Sequence, residues 1–128
     1  MTQHWKVSCF SKEEKMTLSE LNKKYNFHDS FIDSIHYEKL RSEVTLKIEL
    51  CNWMQRDYRE GEPETSEVQF VFSGIKDWEG PSGDFSEMTV LKTELLSENQ
   101  FAFMLSDLCS HEYHELIIAA EEVNVSPV

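Results

Sequence analysis

The sequence predicts an α+β fold, in which one short N-terminal helix packs on a mainly antiparallel β-sheet or sandwich of about six strands. Three observations carry this: a helix-start signature at Thr17–Glu20, apolar residues alternating with polar ones from residue 31 onward, and turn-forming clusters between the alternating runs. At 128 residues, with 40% hydrophobic and 28% charged side chains, the chain fits a single domain spanning residues 1–128. A folded chain of this length hides roughly two thirds of the surface its unfolded form exposes, so its core needs neither a disulfide nor a metal.

The helix comes first. Thr17 and Glu20 have the spacing of a capping box, with Met16 and Leu21 placed as a hydrophobic staple around it. Leu18, Leu21 and Tyr25 share one helical face, and Lys23-Lys24 sit where the helix dipole favours cations. A helix over roughly residues 18–25 follows, with Asn26 as the residue just past its end.

The period then falls from 3.6 to 2. Val44, Leu46, Ile48 and Leu50 alternate with Thr45, Lys47 and Glu49, the pattern of a strand with one buried face. Phe31–Glu38 is its expected antiparallel partner, joined through Lys39–Ser42. A third strand falls around Glu67–Ser73, with Val68, Phe70 and Phe72 on one face and Val71 on the other. Asn52–Ser66 is a long polar connection, and loops of that length in compact domains are often functional.

Gly80-Pro81-Ser82-Gly83 marks a turn. The next segment fits two patterns: Phe85, Met88, Leu91, Lys92 and Leu95 suit a helix, with Asp84 and Glu87 as a second capping box, whereas Leu91, Thr93 and Leu95 suit a strand. The strand is preferred, because Ser97–Gln100 and the alternating Phe101, Phe103 and Leu105 read as a turn and a returning strand. His114–Val125 closes the chain as another strand, although Ala119–Glu122 would tolerate helix.

Charge separates the chain into unlike parts. Residues 1–50 carry eight basic and eight acidic side chains, while residues 51–128 carry four basic against sixteen acidic, so the whole net charge of −12 lies beyond Leu50. Nucleic-acid phosphates and anionic lipid would be repelled there, which disfavours both as partners. No run of about 18 apolar residues occurs, and Met1–Lys6 lacks the basic-then-apolar layout of a secretory signal, so a soluble, cytoplasmic protein is expected. Cys9, Cys51 and Cys109, odd in number and widely spaced, fit a reducing compartment and read as core thiols.

Chemistry is sparse. Cys109, His111 and His114, interleaved with Glu112 and Glu115, form the most metal-like cluster, and a metal-assisted hydrolase using His111 and His114 is the enzyme alternative. Structural zinc sites draw their ligands from two separated pairs, however, and a strand would point His111 and His114 to opposite faces, so a polar loop is the expected reading and no metal or cofactor is assigned. His28-Asp29-Ser30 contains the residue types of a hydrolase triad, but adjacent residues cannot serve one another in that geometry. Asp29 and Ser30 read as turn formers, and the chain as no enzyme, without catalytic residues.

Binding is the remaining class. Trp53, Tyr58 and Trp78 flank the acidic stretches Asp57, Glu60, Glu62, Glu64, Glu67 and Asp77, Glu79, Asp84. Aromatic anchors rimmed by acids suit a basic protein partner, with Trp53, Tyr58, Glu60, Glu62, Glu64 and Trp78 as candidate contacts. The alternatives are that the tryptophans are core residues beneath their loops, and that the acidity serves only the solubility of a structural domain.

The stretch Asn26–Tyr37 with its His28-Asp29-Ser30, the alternation over Val44–Leu50, and Phe70-Val71-Phe72-Ser73-Gly74-Ile75 resemble several small bacterial domain families in which a His-Asp-Ser element precedes a β-meander. Some of these families are assigned as immunity proteins of polymorphic toxin systems. The resemblance implies a toxin domain as the neutralised partner and implies no catalytic residues; Met1–Lys15 has no counterpart in it.

Overall fold

The computed structural model describes residues 13–56, 58–81 and 88–128. Cys9, Asp57, the Ser82-Gly83 half of the predicted turn, Phe85 and the Asp84/Glu87 box lie outside the described residues. The order of elements is β1 (Glu14–Met16), α1 (Leu18–Lys24), β2 (Phe31–Glu38), β3 (Glu43–Cys51), β4 (Thr65–Ser73), β5 (Asp77–Glu79), β6 (Met88–Ser97), β7 (Gln100–Asp107), β8 (Tyr113–Ala119) and β9 (Glu122–Pro127).

The capping box forms as the spacing demands. Thr17 N donates to Glu20 Oε1 at 2.8 Å, and Glu20 N donates to Thr17 Oγ1 at 3.1 Å. Leu18, Leu21 and Tyr25 are all buried. The helix stops one residue earlier than expected, at Lys24, because Tyr25 takes up extended geometry with φ −113°. Asn26 is therefore not a left-handed cap; its Oδ1 instead accepts from His28 N at 3.0 Å, which turns the chain toward β2.

All strand pairs are antiparallel, in the order β1-β9-β4-β3-β2-β6-β7-β8-β5. The α+β expectation holds, but among the described residues the sheet has nine strands rather than about six. Two of the extra strands, β1 and β5, have three residues each, too few to display a period. The predicted strand over 114–125 also divides, since β8 pairs with β7 and β5 while β9 pairs with β4 and β1. Apart from the two-residue corner Ala120-Glu121, both ambiguous segments are strands where described, β6 from Met88 and β8 with β9 from Tyr113.

That division closes the sheet. Only Ala120 and Glu121 separate β8 from β9, although the two strands stand near opposite ends of the order. Alongside them, β4 runs into β5 through Gly74-Ile75-Lys76. The ladder continues around this corner: Ser73 pairs with Glu122 before it and Asp77 with Ala119 after it, with Glu121 N donating to Ser73 O at 3.0 Å and Lys76 N to Ala119 O at 2.8 Å. Gly74 supplies the left-handed φ of +66° that the bend requires.

The sheet thus curls into a barrel, and the interior shows it. β4 and β7 are four inter-strand steps apart, about 19 Å across a flat sheet at about 4.8 Å per step. Yet the Phe27 ring centroid lies 5.4 Å from Phe70 on β4 and 5.4 Å from Phe103 on β7, both edge to face. Phe27 enters from the segment after α1 and is fully surrounded. Val44, Leu46, Ile48 and Leu50 on β3 are fully buried, as are Val68, Phe70 and Phe72 on β4, so the predicted core faces stand. β7 is buried on both faces, with Ala102 and Met104 opposite Phe101, Phe103 and Leu105.

His28-Asp29-Ser30 is the seam where β2 meets β6. These two strands share a single ladder pair, Phe31 with Thr89, and the seam supplies the rest: Asp29 N donates to Val90 O at 2.9 Å and Val90 N to Ser30 O at 2.8 Å. Asp29 adopts φ 67°, a left-handed conformation that aspartate tolerates. Ser30 has no exposed surface, and its Oγ accepts the Cys51 amide at 3.0 Å. The turn itself is closed by Ser30 N donating to Phe27 O at 3.0 Å, so Asp29 and Ser30 do form a turn, although the Ser30 hydroxyl serves the distant Cys51 amide rather than a nearby one. No helix among the described residues is long and apolar enough to cross a membrane.

Candidate docking face

The long connection between β3 and β4 is held at its base by Asn52. Asn52 N donates to Glu64 O at 2.8 Å, and its Nδ2 donates to Pro63 O at 3.0 Å and Ser66 Oγ at 2.6 Å. Trp53, in the 3₁₀ turn Asn52–Met54 that opens the loop, is 46% exposed and unlike a core tryptophan. Tyr58 is half-buried, and its Oη donates to Glu62 O at 3.3 Å. Glu60 and Glu64 are exposed. Glu62 is also exposed, but its Oε1 accepts the Arg59 amide at 2.7 Å, so this carboxylate orders its own turn.

Trp78 does not join them. The loop feeds the N-terminal end of β4, whereas Trp78 on β5 follows the C-terminal end, about 26 Å of extended chain away. Its ring packs against the core and meets Tyr37 edge to face at 5.7 Å. Trp53 and Tyr58 therefore belong to one end of the barrel, and Trp78 to the other.

The strand register adds Glu49 and Asp33 to Glu67, the last residue of the acidic stretch. Glu49 on β3 is paired directly opposite Glu67 on β4. Asp33 sits at the β2 register shift between Ile32 and Ser34, beside both. Partial burial, a hydrogen bond to Glu67 and the charges of Glu67 and Glu49 hold the Asp33 carboxyl above its ordinary value. Thr65 Oγ1 donates to Glu49 Oε2 at 3.2 Å, which leads this acidic patch into the loop bearing Glu64. Cys51 lies beneath it, and burial, followed by the charges of Asp29 and Glu49, pushes its thiol up, away from the reactive thiolate.

The metal-like cluster is dispersed. Cys109 is exposed, which corrects its expected place in the core: it stands in the β7–β8 turn, which is organised by Asp107. Asp107 Oδ1 accepts the Cys109 amide at 2.9 Å and the Ser110 amide at 3.2 Å, bonds that hold its carboxyl below the ordinary range. His111 occupies the turn with φ 64°, and His114 stands on β8 with Nε2 3.7 Å from Glu112 Oε1. Among the described residues no three of His, Cys, Asp and Glu converge to hold a metal ion.

No protein-family model, no curated protein and no solved structure matches the chain.

Proposed function

We propose that the chain is a non-catalytic binding module that docks a basic protein on its carboxylate face. The toxin-immunity role implied by the His-Asp-Ser resemblance is the specific form of this reading: a bacterial, cytoplasmic protein neutralising a toxin domain. The observation that carries the proposal is the stacking of Glu49 against Glu67 with Asp33 alongside. Carboxylates directly opposite one another weaken a sheet. Solubility requires charge, but it does not require like charges in register. A cationic side chain laid across the three would relieve their repulsion, and the exposed Trp53 at the adjoining loop supplies apolar area for an anchor.

The test is capture from the native cell with the wild-type chain and a Glu49→Gln/Glu67→Gln variant as parallel baits. A basic protein retained by the first and lost from the second supports the reading, as does suppression of the toxicity of a protein encoded beside this one. With a partner in hand, Glu60→Gln and Glu64→Gln should slow association and flatten its salt dependence, because rim charges steer encounter. Glu62→Gln should do so less, since that side chain is turned into its own loop. Equal capture by both baits would reject this face and leave the acidity as solubilising surface.

A further inference from the structure

The net charge of −12 conceals a local reversal. Between the C-terminal end of α1, the residues after the Asn52–Met54 turn and strand β6 lies an open cleft of about 480 Å³, lined by Lys23, Lys24, His28, Arg56 and Lys92 with no Asp or Glu among its lining residues. Four of the chain's twelve lysines and arginines thus gather at one depression. Lys24 is ion-paired with Glu14, and Lys23 also borders a smaller hollow that contains Glu14 and Glu20. Lys23, Arg56 and Lys92 have no carboxylate partner among the described residues. The helix dipole accounts for Lys23 and Lys24. It does not account for Arg56 and Lys92, brought to the same place from two other segments.

The walls are tied together. Gln55 clamps the backbone of Asn26 from both sides, accepting from Asn26 N at 2.9 Å and donating to Asn26 O at 2.6 Å, and it donates as well to Cys51 O at 2.7 Å. This fixes the chain bearing Arg56 to the end of α1. On the other wall His28 Nδ1 lies 2.7 Å from Leu91 O, next to Lys92, while its Nε2 lies 3.5 Å from Asp29 Oδ1. The cations therefore stand on anchored backbone rather than on a free loop, so less conformational freedom is lost when a ligand binds.

We propose that this cleft binds a small multivalent anion of the polyphosphate class. Its volume falls within the range of small-molecule sites, about 300–1,000 Å³. A guanidinium fork with flanking ammonium groups matches phosphate oxygens in geometry and in charge density. Size follows from the surroundings: a long polyanion would extend past the cleft onto a surface dominated by carboxylates, whereas a short one stays inside it. Arg56 lies in the same loop as Trp53 and Tyr58, but none of the cleft's lining residues is a carboxylate of the docking face, and neither reading depends on the other.

Isothermal titration of the full chain with tripolyphosphate, with citrate and a 20-nucleotide single strand as competitors, tests the proposal. Tripolyphosphate should bind one to one, more tightly than citrate or the oligonucleotide. Its affinity should fall at least about tenfold in an Arg56→Gln/Lys92→Gln variant, the loss expected when charge-assisted hydrogen bonds are removed. Neither side chain bonds to another described residue, so this variant should melt as the wild type does without ligand. Absence of saturable binding at about 1 mM tripolyphosphate, equal affinity in the variant, or preference for the oligonucleotide or citrate would each overturn the assignment.

Discussion

Replacing Phe27 with alanine removes the ring that ties opposite walls of the barrel. Phe27 is 1% exposed, and its centroid lies 5.4 Å from Phe70 and Phe103, 5.9 Å from Tyr25 and 6.2 Å from Phe101. Burying a phenylalanine takes about 200 Å² from water, worth about 5 kcal/mol at about 25 cal/mol per Å². Alanine keeps roughly a third of that, so about 3 kcal/mol is lost in transfer alone. The cavity and the forfeited edge-to-face contacts bring the total to about 4 kcal/mol, inside the range for large-to-small core changes. For 128 residues the unfolding entropy is about 0.27 kcal/mol/K, so the melting temperature should drop by about 15 °C. Urea unfolding followed by tryptophan fluorescence measures the loss, with Phe27→Leu as a control that keeps most of the volume and should cost about 1 kcal/mol. A loss below about 2 kcal/mol for alanine, or equal losses for alanine and leucine, would refute the bridging role.

Asp33→Asn tests the acidic patch through its pH dependence. A carboxyl held above 3.8 in the fold destabilises the native state at every pH above its raised folded value, and the penalty vanishes as pH falls below the unfolded value. The variant should therefore unfold at higher urea than wild type at pH 7 and show no advantage near pH 3; a loss of stability at pH 7 would contradict this. Ser30→Ala leaves the buried Cys51 amide without its acceptor and should cost about 1–3 kcal/mol in urea melts. A cost within experimental scatter would show that the amide finds another partner. Gly74→Ala places a Cβ at φ +66°, 2.7 Å from the Glu121 side chain; that side chain can swing away, but the backbone cost of about 1–2 kcal/mol remains. A wild-type thermal midpoint would contradict the requirement for glycine at the corner.

What the sequence disclosed was local. The Thr17/Glu20 box and the alternation over Val44–Leu50 are short-range patterns, and both appear in place. The corner was hidden because Ala120-Glu121 carries no glycine or proline, and the residue that permits the bend, Gly74, lies on the other chain of the ribbon. Trp53 and Trp78 looked alike beside their acidic stretches, and only the path of β4 separates them. Glu49 and Glu67 are 18 positions apart, so their opposition exists only in the register. The basic cleft was equally invisible: its cations come from separate segments, two from the charge-balanced residues 1–50 and two from the strongly acidic residues 51–128. Cys109 departs from the usual burial of free cysteine because Asp107 captures the amides of its turn and holds it at the surface.

Closure at the corner also decides how anything can attach to this molecule. An open antiparallel sheet offers long unpaired edges that recruit further strands, productively or into aggregates. Here the outermost strands are β1 and β5, three residues each, and they carry Glu14 and Lys15 on one and Asp77 and Glu79 on the other. Among the longer strands β2 and β6 are the pair least joined: beyond Phe31 with Thr89 and the two bonds at Val90, residues 32–38 and 92–97 have no ladder partner on their facing sides. Among the described residues, then, the main-chain stretches without a ladder partner lie chiefly where β2 and β6 diverge, rather than at the short outer strands. A visiting strand would be directed to that gap, while the charged three-residue outer strands give copies of this chain little to zip onto at the ends of the sheet.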